Sequence, residues 1–459
     1  MNDMKTKVLI LGAGLAGLSA AYHLKDEDYQ IFEKEHEVGG LCRSYQVKGF
    51  TFDYTGHLLH FKKPEMRKWV EEVLGDNIVY HDRKAFIYSN RVFTDYPFQA
   101  NLYGLPKEVI KECLTGFIEA YYQDQKKAGT PVPKFGISKV PHRNFEEWIV
   151  KTLGKGIAKH FMIPFNEKLW KRSLKEMTAE WTSWLVPRPK LEDVINGALG
   201  IVNKPMGYNP SFLYPRQGGI HSLANRLSRH IHNIHLNEEV IEIDIKKKEV
   251  AFSSGKKVGY EHLISTLPLN VSVSRCKGLS AQTKEKIKKL EYISVQVINL
   301  GIEKKNLSDK HWVYFPENRF PFYRIGFPSN LSPFMAPEGT TSLSIEVSSL
   351  PDGGMNKKEL LHQVKEGLFD SGVLSSSAPI VVEDVRTISH AYVIFNHDYS
   401  KIVPNLRSAL RKHGIYTIGR YGSWEHTSME DALGQGKEIA QHLAIPSPFP
   451  YPKPSAGHF

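Results

Sequence analysis

Cysteine is scarce. The 459-residue chain has three, Cys42, Cys113 and Cys276, far apart and never in a CxxC pair. That excludes a disulfide framework and makes a reduced, cytoplasmic setting the expectation. Long apolar runs are missing too: none reaches the roughly 18 residues that a membrane-spanning helix needs. With 41% hydrophobic and 24% charged residues, the composition is neither disordered nor membrane-embedded. Dense Lys/Arg blocks are absent. The net charge of +11, from 60 basic against 49 acidic residues, therefore reads as a solvated surface, and an anionic small molecule fits it better than nucleic acid. No metal-ligand spacing, Ser-His-Asp set, activated cysteine or internal repeat stands out. The length predicts two or three domains at roughly 150 residues each.

The N-terminus carries the first positive signal. Residues 7–11 (KVLIL) form a short apolar run, followed by Gly12-Ala-Gly14-Leu15-Ala16-Gly17 and an alanine-rich helical stretch to Leu24. A second strand, Tyr29–Glu33, comes next. Strand, GxGxxG, helix and strand in this order are the βαβ dinucleotide fingerprint. Gly12 permits the tight turn, Gly14 lets amides approach a pyrophosphate, and Gly17 lets the helix pack on the sheet. The helix N-terminus at Leu15 and Ala16 offers partial positive charge to the phosphates. Glu33 stands 21 residues after Gly12, where a carboxylate accepts ribose hydroxyls. Residues 8–21 follow Lys5 and Lys7 and could pass for a signal-peptide core. Fixed glycine spacing and a following acid-terminated strand argue against cleavage.

After Glu33-Lys34 come Val38-Gly39-Gly40-Leu41-Cys42-Arg43 and Phe50-Thr-Phe-Asp53-Tyr-Thr-Gly56-His57. This extension resembles the FAD-dependent amine oxidase and protoporphyrinogen oxidase superfamily. The resemblance implies FAD rather than NAD, with Gly40, Leu41 and Arg43 passing the pyrophosphate and Gly56 near the flavin. Further landmarks are the strand through Val240, Leu263–Pro268 with Thr266, and Gly419-Arg420 before a helix that starts at Ser428-Met429. In that superfamily the last helix points its N-terminus at the flavin N1/C2 carbonyl, where its dipole stabilises reduced flavin. The plainer alternative is a surface helix capped by Ser428 or Thr427.

These pieces predict an α/β chain. A discontinuous Rossmann-like FAD-binding domain with a parallel sheet is expected from 1–88, 208–295 and 386–459. A helical substrate domain is expected over 89–207 and an antiparallel β-sheet domain over 296–385. Helices are expected at 107–125, 145–153, 156–161 and 191–198, and strands at 294–301 and 341–347. The tail 445–459 has five prolines in fifteen residues and is expected to be extended or disordered.

Other segments narrow the resemblance. Asp95-Tyr96-Pro97-Phe98-Gln99, Phe145–Ile149, Phe161-Met162-Ile-Pro164-Phe165-Asn166-Glu-Lys-Leu-Trp170, Trp312–Glu317 and Pro321-Phe-Tyr323-Arg324 look like UDP-galactopyranose mutase, particularly its eukaryotic type. Such mutases interconvert pyranose and furanose forms of a UDP-sugar. Reduced FAD is the active form, its N5 attacking the anomeric carbon, and NADPH or NADH serves as reductant. The resemblance implies a uridine clamp of Tyr96, Phe98, Gln99, Phe161, Met162, Asn166 and Trp170; core packing of a helical domain is the alternative reading. It also implies Arg324 and Tyr399 on the diphosphate, Tyr314 lining the sugar pocket and His57 beside the flavin. Arg83 matches a family arginine, with a surface salt bridge as the alternative.

The chain also departs from the pattern. Leu185 stands where a second diphosphate arginine is expected, and Arg188, three residues on, is the substitute candidate. Leu331 replaces a tyrosine, and Glu425-His426 replaces a substrate-binding stretch. Two further readings therefore stay open: an FAD-dependent oxidoreductase acting on a non-nucleotide substrate, and a flavoprotein that binds nucleotide sugars without catalysis. The sugar, the reductant and the oligomeric state are not set by the sequence.

Overall fold

The computed structural model describes residues 4–25, 27–128, 142–182, 186–207 and 209–444. Leu185 and the proline-rich tail lie outside these residues. The run KVLIL becomes the heart of strand Met4–Leu11, with Val8 to Leu11 fully buried. Apolar residues pointing both ways are what a parallel strand covered on both faces requires. It pairs in parallel with Tyr29–Phe32 on one side and Lys257–Ser265 on the other, Ile10 facing Ile31 and Ile264. This sheet has eight strands in the order Cys276–Lys277, Val240–Asp244, Glu249–Phe252, Lys257–Ser265, Met4–Leu11, Tyr29–Phe32, Ile234–His235; Ile415–Thr417 also pairs with Lys257–Ser265. Three separated stretches of chain thus feed one sheet.

Helix Leu15–Leu24 lies on it and carries helix Met429–Ala444 on its outer side. The two helices approach closely at Gly436, where a Cβ would sit 2.5 Å from the Ala16 carbonyl oxygen.

A second, seven-stranded sheet runs Ile380–Val393, Tyr292–Ile302, Thr341–Ser349, Arg324–Gly326, Trp312–Tyr314, Ala85–Ser89, Val92–Asp95. It is antiparallel except where Trp312–Tyr314 meets Ala85–Ser89. The expected boundaries at 88, 295 and 385 fall inside strands of this sheet: residues 85–95 supply one outermost hairpin, and Tyr292–Ile302 and Ile380–Val393 pair at the other end. Local sequence does not reveal that long-range pairing.

Between the sheet segments lie helices Lys107–Ala128, Phe145–Ile157, Ile163–Trp170 and Leu191–Leu199. Asn144 caps the second, its side chain accepting from the Glu147 amide. A π-helical turn, Ala158–Met162, joins it to the third. Among the described residues no helix is long and apolar enough to cross a membrane.

The sheets bury histidines in neutral form. His390 stacks on Tyr292 at 4.0 Å and meets the Asn270 amide nitrogen at 3.2 Å. His311 accepts the Lys84 amide hydrogen on Nδ1. Burial pushes each down to about 4. Between pH 6.5 and 4 the unfolded chain therefore binds protons that the folded chain refuses, and stability falls as pH falls. Asp53, which burial pushes up to about 6, and Glu425, which burial also raises, oppose this over part of the window, against several histidines that burial lowers. We expect Tm in scanning calorimetry to drop on acidification from pH 6.5 to 4. His390→Phe, which keeps the stack without the titration, should flatten that slope.

Candidate active site

The glycines of the first loop divide into two kinds. Gly12 has φ +97° and its Cβ would sit 2.2 Å from Thr266 Oγ1; a Cβ on Gly17 would sit 2.0 Å from the Gly12 carbonyl oxygen. Both are demanded by the protein's own packing. Gly14 is different. Its φ of −73° suits any residue, and a Cβ there would meet nothing nearer than the Gly40 Cα at 3.8 Å. The protein leaves a space at Gly14 that it does not fill, bounded by a second backbone segment. The Gly39 amide donates to the Ala13 carbonyl at 2.8 Å, and Gly39 and Gly40 take φ of +114° and +58°. Helix Leu15–Leu24 has no side-chain cap, so its first-turn amides lack intrahelical partners and face this space. The residues fit a dinucleotide pyrophosphate.

Glu33 is buried at the strand end, where Oε2 accepts from the Ala13 amide at 2.7 Å and Oε1 from the Glu35 amide at 3.0 Å. Each oxygen retains a lone pair for a hydroxyl donor. Arg43 turns inward as a brace: Nε donates to the Gly40 carbonyl at 2.8 Å, and Nη1 pairs with Glu35 at 3.3 Å and Glu37 at 3.7 Å. Thr266 donates Oγ1–H and N–H to the Leu11 carbonyl, both at 2.9 Å. Lys34 is exposed beside Glu35, Leu41 is half-buried and Val240 is buried at the start of its strand. Gly419 packs on Ala16.

The last helix does carry a cap. The Ser428 amide donates to Asp431 at 2.8 Å, and Ser428 Oγ accepts from the Asp431 amide at 3.1 Å. The amides of Met429 and Glu430 remain at its end. Glu430 turns back, accepting from the Lys62 amide at 2.9 Å and the Lys63 amide at 2.7 Å. Asp53 accepts from Ser44 and Tyr214 hydroxyls, each at 2.6 Å. The segment from Tyr54 to Phe61, which holds Gly56 and His57, is thus pinned at both ends by buried carboxylates. His57 Nδ1 faces the Thr55 carbonyl oxygen at 3.2 Å. Burial first, then Arg420 and Arg324, push it down to about 4. It is a neutral imidazole at neutral pH, within the field of two cations.

Arg324 lies beside Gly56 and is bound on one edge. Its Nε donates to Glu346 Oε1 at 3.0 Å, joined by Nη2, and the Tyr323 hydroxyl donates to the other Glu346 oxygen. The pair holds the guanidinium pKa well above its usual value despite burial. The Tyr314 side chain also lies within hydrogen-bonding reach of the guanidinium. The sequence reading missed Glu346. Its signal was a lone carboxylate inside the buried strand Thr341–Ser349, a position that requires a cation.

Tyr399 departs from expectation. It begins helix Tyr399–Arg411 and donates its hydroxyl to the Trp424 carbonyl at 2.7 Å. The tyrosines in electrostatic contact with Arg324 are Tyr392, Tyr323 and Tyr314. Tyr392, not foreseen, stacks on His426 at 5.6 Å and lies under Arg420 at 5.2 Å. Arg420 Nη2 meets His426 Nδ1 at 3.2 Å, and Nη1 donates to the Thr427 carbonyl at 2.9 Å.

The expected uridine clamp is brought together, but several members are committed elsewhere. Phe98 and Phe161 stack on each other at 5.0 Å and are buried with Met162 and Trp170 in the core. Asn166 donates to the Met162 carbonyl at 2.7 Å and accepts from Trp170 Nε1 at 3.3 Å. Gln99 donates to the Pro187 carbonyl at 2.7 Å, and so holds the loop bearing half-buried Arg188. The half-buried rings are Tyr96, Tyr314 and Phe165, with Tyr314 5.7 Å from Tyr96 and 5.4 Å from Phe165. Arg83 stacks over Tyr96 at 4.7 Å and donates to Asn209 Oδ1 at 2.9 Å and to the Met206 carbonyl. Carbonyl oxygens and a ring face thus hold its guanidinium.

Comparison with known proteins agrees with this fold. The family model for flavin containing amine oxidoreductases matches residues 15–444. Over 93% of each chain the protein is 22% identical to the 1-hydroxycarotenoid 3,4-desaturase of Flavobacterium sp. strain P99-3. It is 18% identical to the coproporphyrinogen III oxidase of Bacillus subtilis strain 168, over 95% of this chain and 97% of that one. Among solved structures it is similar to a reduced UDP-galactopyranose mutase, with TM-score 0.87 and 28% identity over 96% of this chain and 95% of that chain. A putative protoporphyrinogen oxidase from Exiguobacterium sp. 255-15 shares the fold at TM-score 0.68 and 15% identity, covering 96% and 99%.

The two kinds of glycine predict two phenotypes. Gly14→Val should purify without flavin absorbance, because its side chain occupies the pyrophosphate's space, yet fold with a Tm near that of flavin-free wild type, which likewise lacks the stabilisation of bound FAD. Gly17→Val should lose Tm as well, because it clashes with the turn itself. Absorbance and calorimetry of the two variants separate the cases.

Proposed function

The chain belongs to the family of flavin-containing amine oxidoreductases, with FAD as its cofactor, and we propose that within it the protein is a UDP-galactopyranose mutase-like isomerase acting on a UDP-sugar. The observation that carries this reading is the likeness to reduced UDP-galactopyranose mutase along 96% of the chain. Arg324, on the central strand of the second sheet, supports it.

Reduced FAD, when bound, supplies N5 as a nucleophile toward the anomeric carbon. The chain's own residues do the rest. Arg324 receives the departing diphosphate, and Glu346 fixes the guanidinium so that no reorganisation is needed as charge develops. Tyr314 and Tyr392 flank that cation and bound the sugar's space. His57, neutral and between Arg324 and Arg420, offers an N–H donor or a lone pair without adding charge. Tyr96 and Phe165 provide ring faces for the base, and Gln99 sets Arg188 near the same cleft through Pro187.

The oxidoreductase reading rests on a separate observation, the full-length match to a carotenoid desaturase. In that case FAD, when bound in its oxidised form, would supply a hydride acceptor for a substrate held in the cleft, and hydrogen peroxide or another reduced acceptor would accumulate with turnover.

Dithionite-reduced protein incubated anaerobically with UDP-sugars should interconvert ring forms, read by chromatography, without net use of reductant. Stoichiometric consumption of reductant, or peroxide formed with substrate in air, would overturn the mutase reading. Arg324→Ala should keep its FAD and bind UDP more weakly by about 1.5–3 kcal/mol, the usual size of a charge-assisted hydrogen bond; calorimetric titration checks this. If Arg188 serves as the second cation, Arg188→Ala should cost nearly as much.

A further inference from the structure

Lys168 is a buried lysine with no ion-pair partner. It sits on helix Ile163–Trp170, between Asn166 and Trp170, and its side chain crosses to the second sheet. There Nζ donates to three backbone carbonyls: Phe315 at 2.8 Å, Glu317 at 2.5 Å and Phe322 at 3.3 Å. Among the described residues no carboxylate lies within ion-pair distance of it. The Glu317 carboxylate is engaged by Arg319 and by the Asn90 amide, each at 2.5 Å. A buried ammonium without a counter-charge is costly, and an apolar side chain of the same length would avoid that cost. Burial pushes Lys168 down to about 7; in its protonated form it provides three N–H donors for three carbonyls of one connection.

That connection joins strand Trp312–Tyr314 to strand Arg324–Gly326, in which Tyr314 and Arg324 face each other in register. Phe315 follows Tyr314 directly, and Phe322 precedes Arg324 by two residues. From the helix side, Phe165 packs edge-on against Tyr314 at 5.4 Å and Tyr323 at 6.4 Å. Lys168 therefore grips the hairpin immediately beyond its site-bearing residues, from a helix that carries part of the expected base clamp. We propose that Lys168 is a positioning residue that fixes the separation between the base-binding half and the diphosphate-binding half of the cleft, and so selects ligands with a nucleoside and a diphosphate at that spacing. The inference rests on reading the cleft as a nucleotide-sugar site.

The test compares FAD-loaded wild type and Lys168→Met for binding of UDP, uridine and inorganic pyrophosphate, together with hydrogen exchange of the 315–323 amides. Two half-sites held at the wrong spacing lose the advantage of joint occupancy but not their separate affinities. UDP should therefore bind about ten-fold more weakly while uridine and pyrophosphate bind as before, and the 315–323 amides should exchange faster. Unchanged UDP affinity, or equal weakening of UDP and uridine, would overturn the proposal. If Lys168→Met yields no folded holoprotein, Lys168→Gln is read the same way; loss of FAD from both variants would also overturn it, by making Lys168 a support of the whole fold. If wild type binds neither UDP nor uridine, the nucleotide-sugar reading fails, and the exchange data alone decide whether Lys168 holds the hairpin: unchanged exchange refutes it.

Discussion

The cofactor half depends on how closely the first helix approaches the turn before it. The Gly12 carbonyl oxygen lies where a side chain at position 17 would begin, so the helix can seat on the sheet only with glycine there. That seating aims the unpaired amides of the first turn at the gap beside Gly14 and Gly40. It also brings Ala16 against Gly419 and Gly436, so the last segments of the chain dock on the same helix. Without this contact the N-terminal strand would still pair, but neither the phosphate space nor the C-terminal helix would have a surface to form on.

Charge at the reacting end is governed by pairing rather than by counting arginines. Arg324 and Glu346 share a buried ion pair, and Tyr323 takes the remaining carboxylate oxygen. The pair holds the guanidinium rigid but offsets much of its charge, so an anion in the cleft is received by one cation that is already paired. Burial first, and Arg420 after it, push the His57 imidazole down toward its neutral form. The arrangement suits a step in which negative charge appears transiently at a fixed place.

The helical layer shows a different economy. Asn166 bonds four residues back and four residues forward, and Gln99 holds a loop. Their polar atoms stabilise the walls first and face a ligand only with what capacity is left. Phe98 and Phe161 do likewise, stacking on one another in the core. The half-buried rings at the cleft, Tyr96, Phe165 and Tyr314, rest on this layer.

Sequence alone determined what local rules control. The βαβ order, the spacing of Gly12, Gly14 and Gly17, and the helices at Lys107–Ala128, Phe145–Ile157 and Leu191–Leu199 follow from short-range patterns that are written consecutively along the chain. FAD was legible through the family resemblance that Gly39, Gly40 and Arg43 carry. Tertiary structure decided the rest. That residues 85–95 close the second sheet, that Tyr392 rather than Tyr399 stands by Arg324, that Glu346 claims one edge of that arginine and that Lys168 bridges helix to hairpin are all pairings between distant segments. A motif states which side chains are present. Which of them spend their hydrogen bonds on the fold, and which keep some for a ligand, is fixed only when burial brings competing partners together.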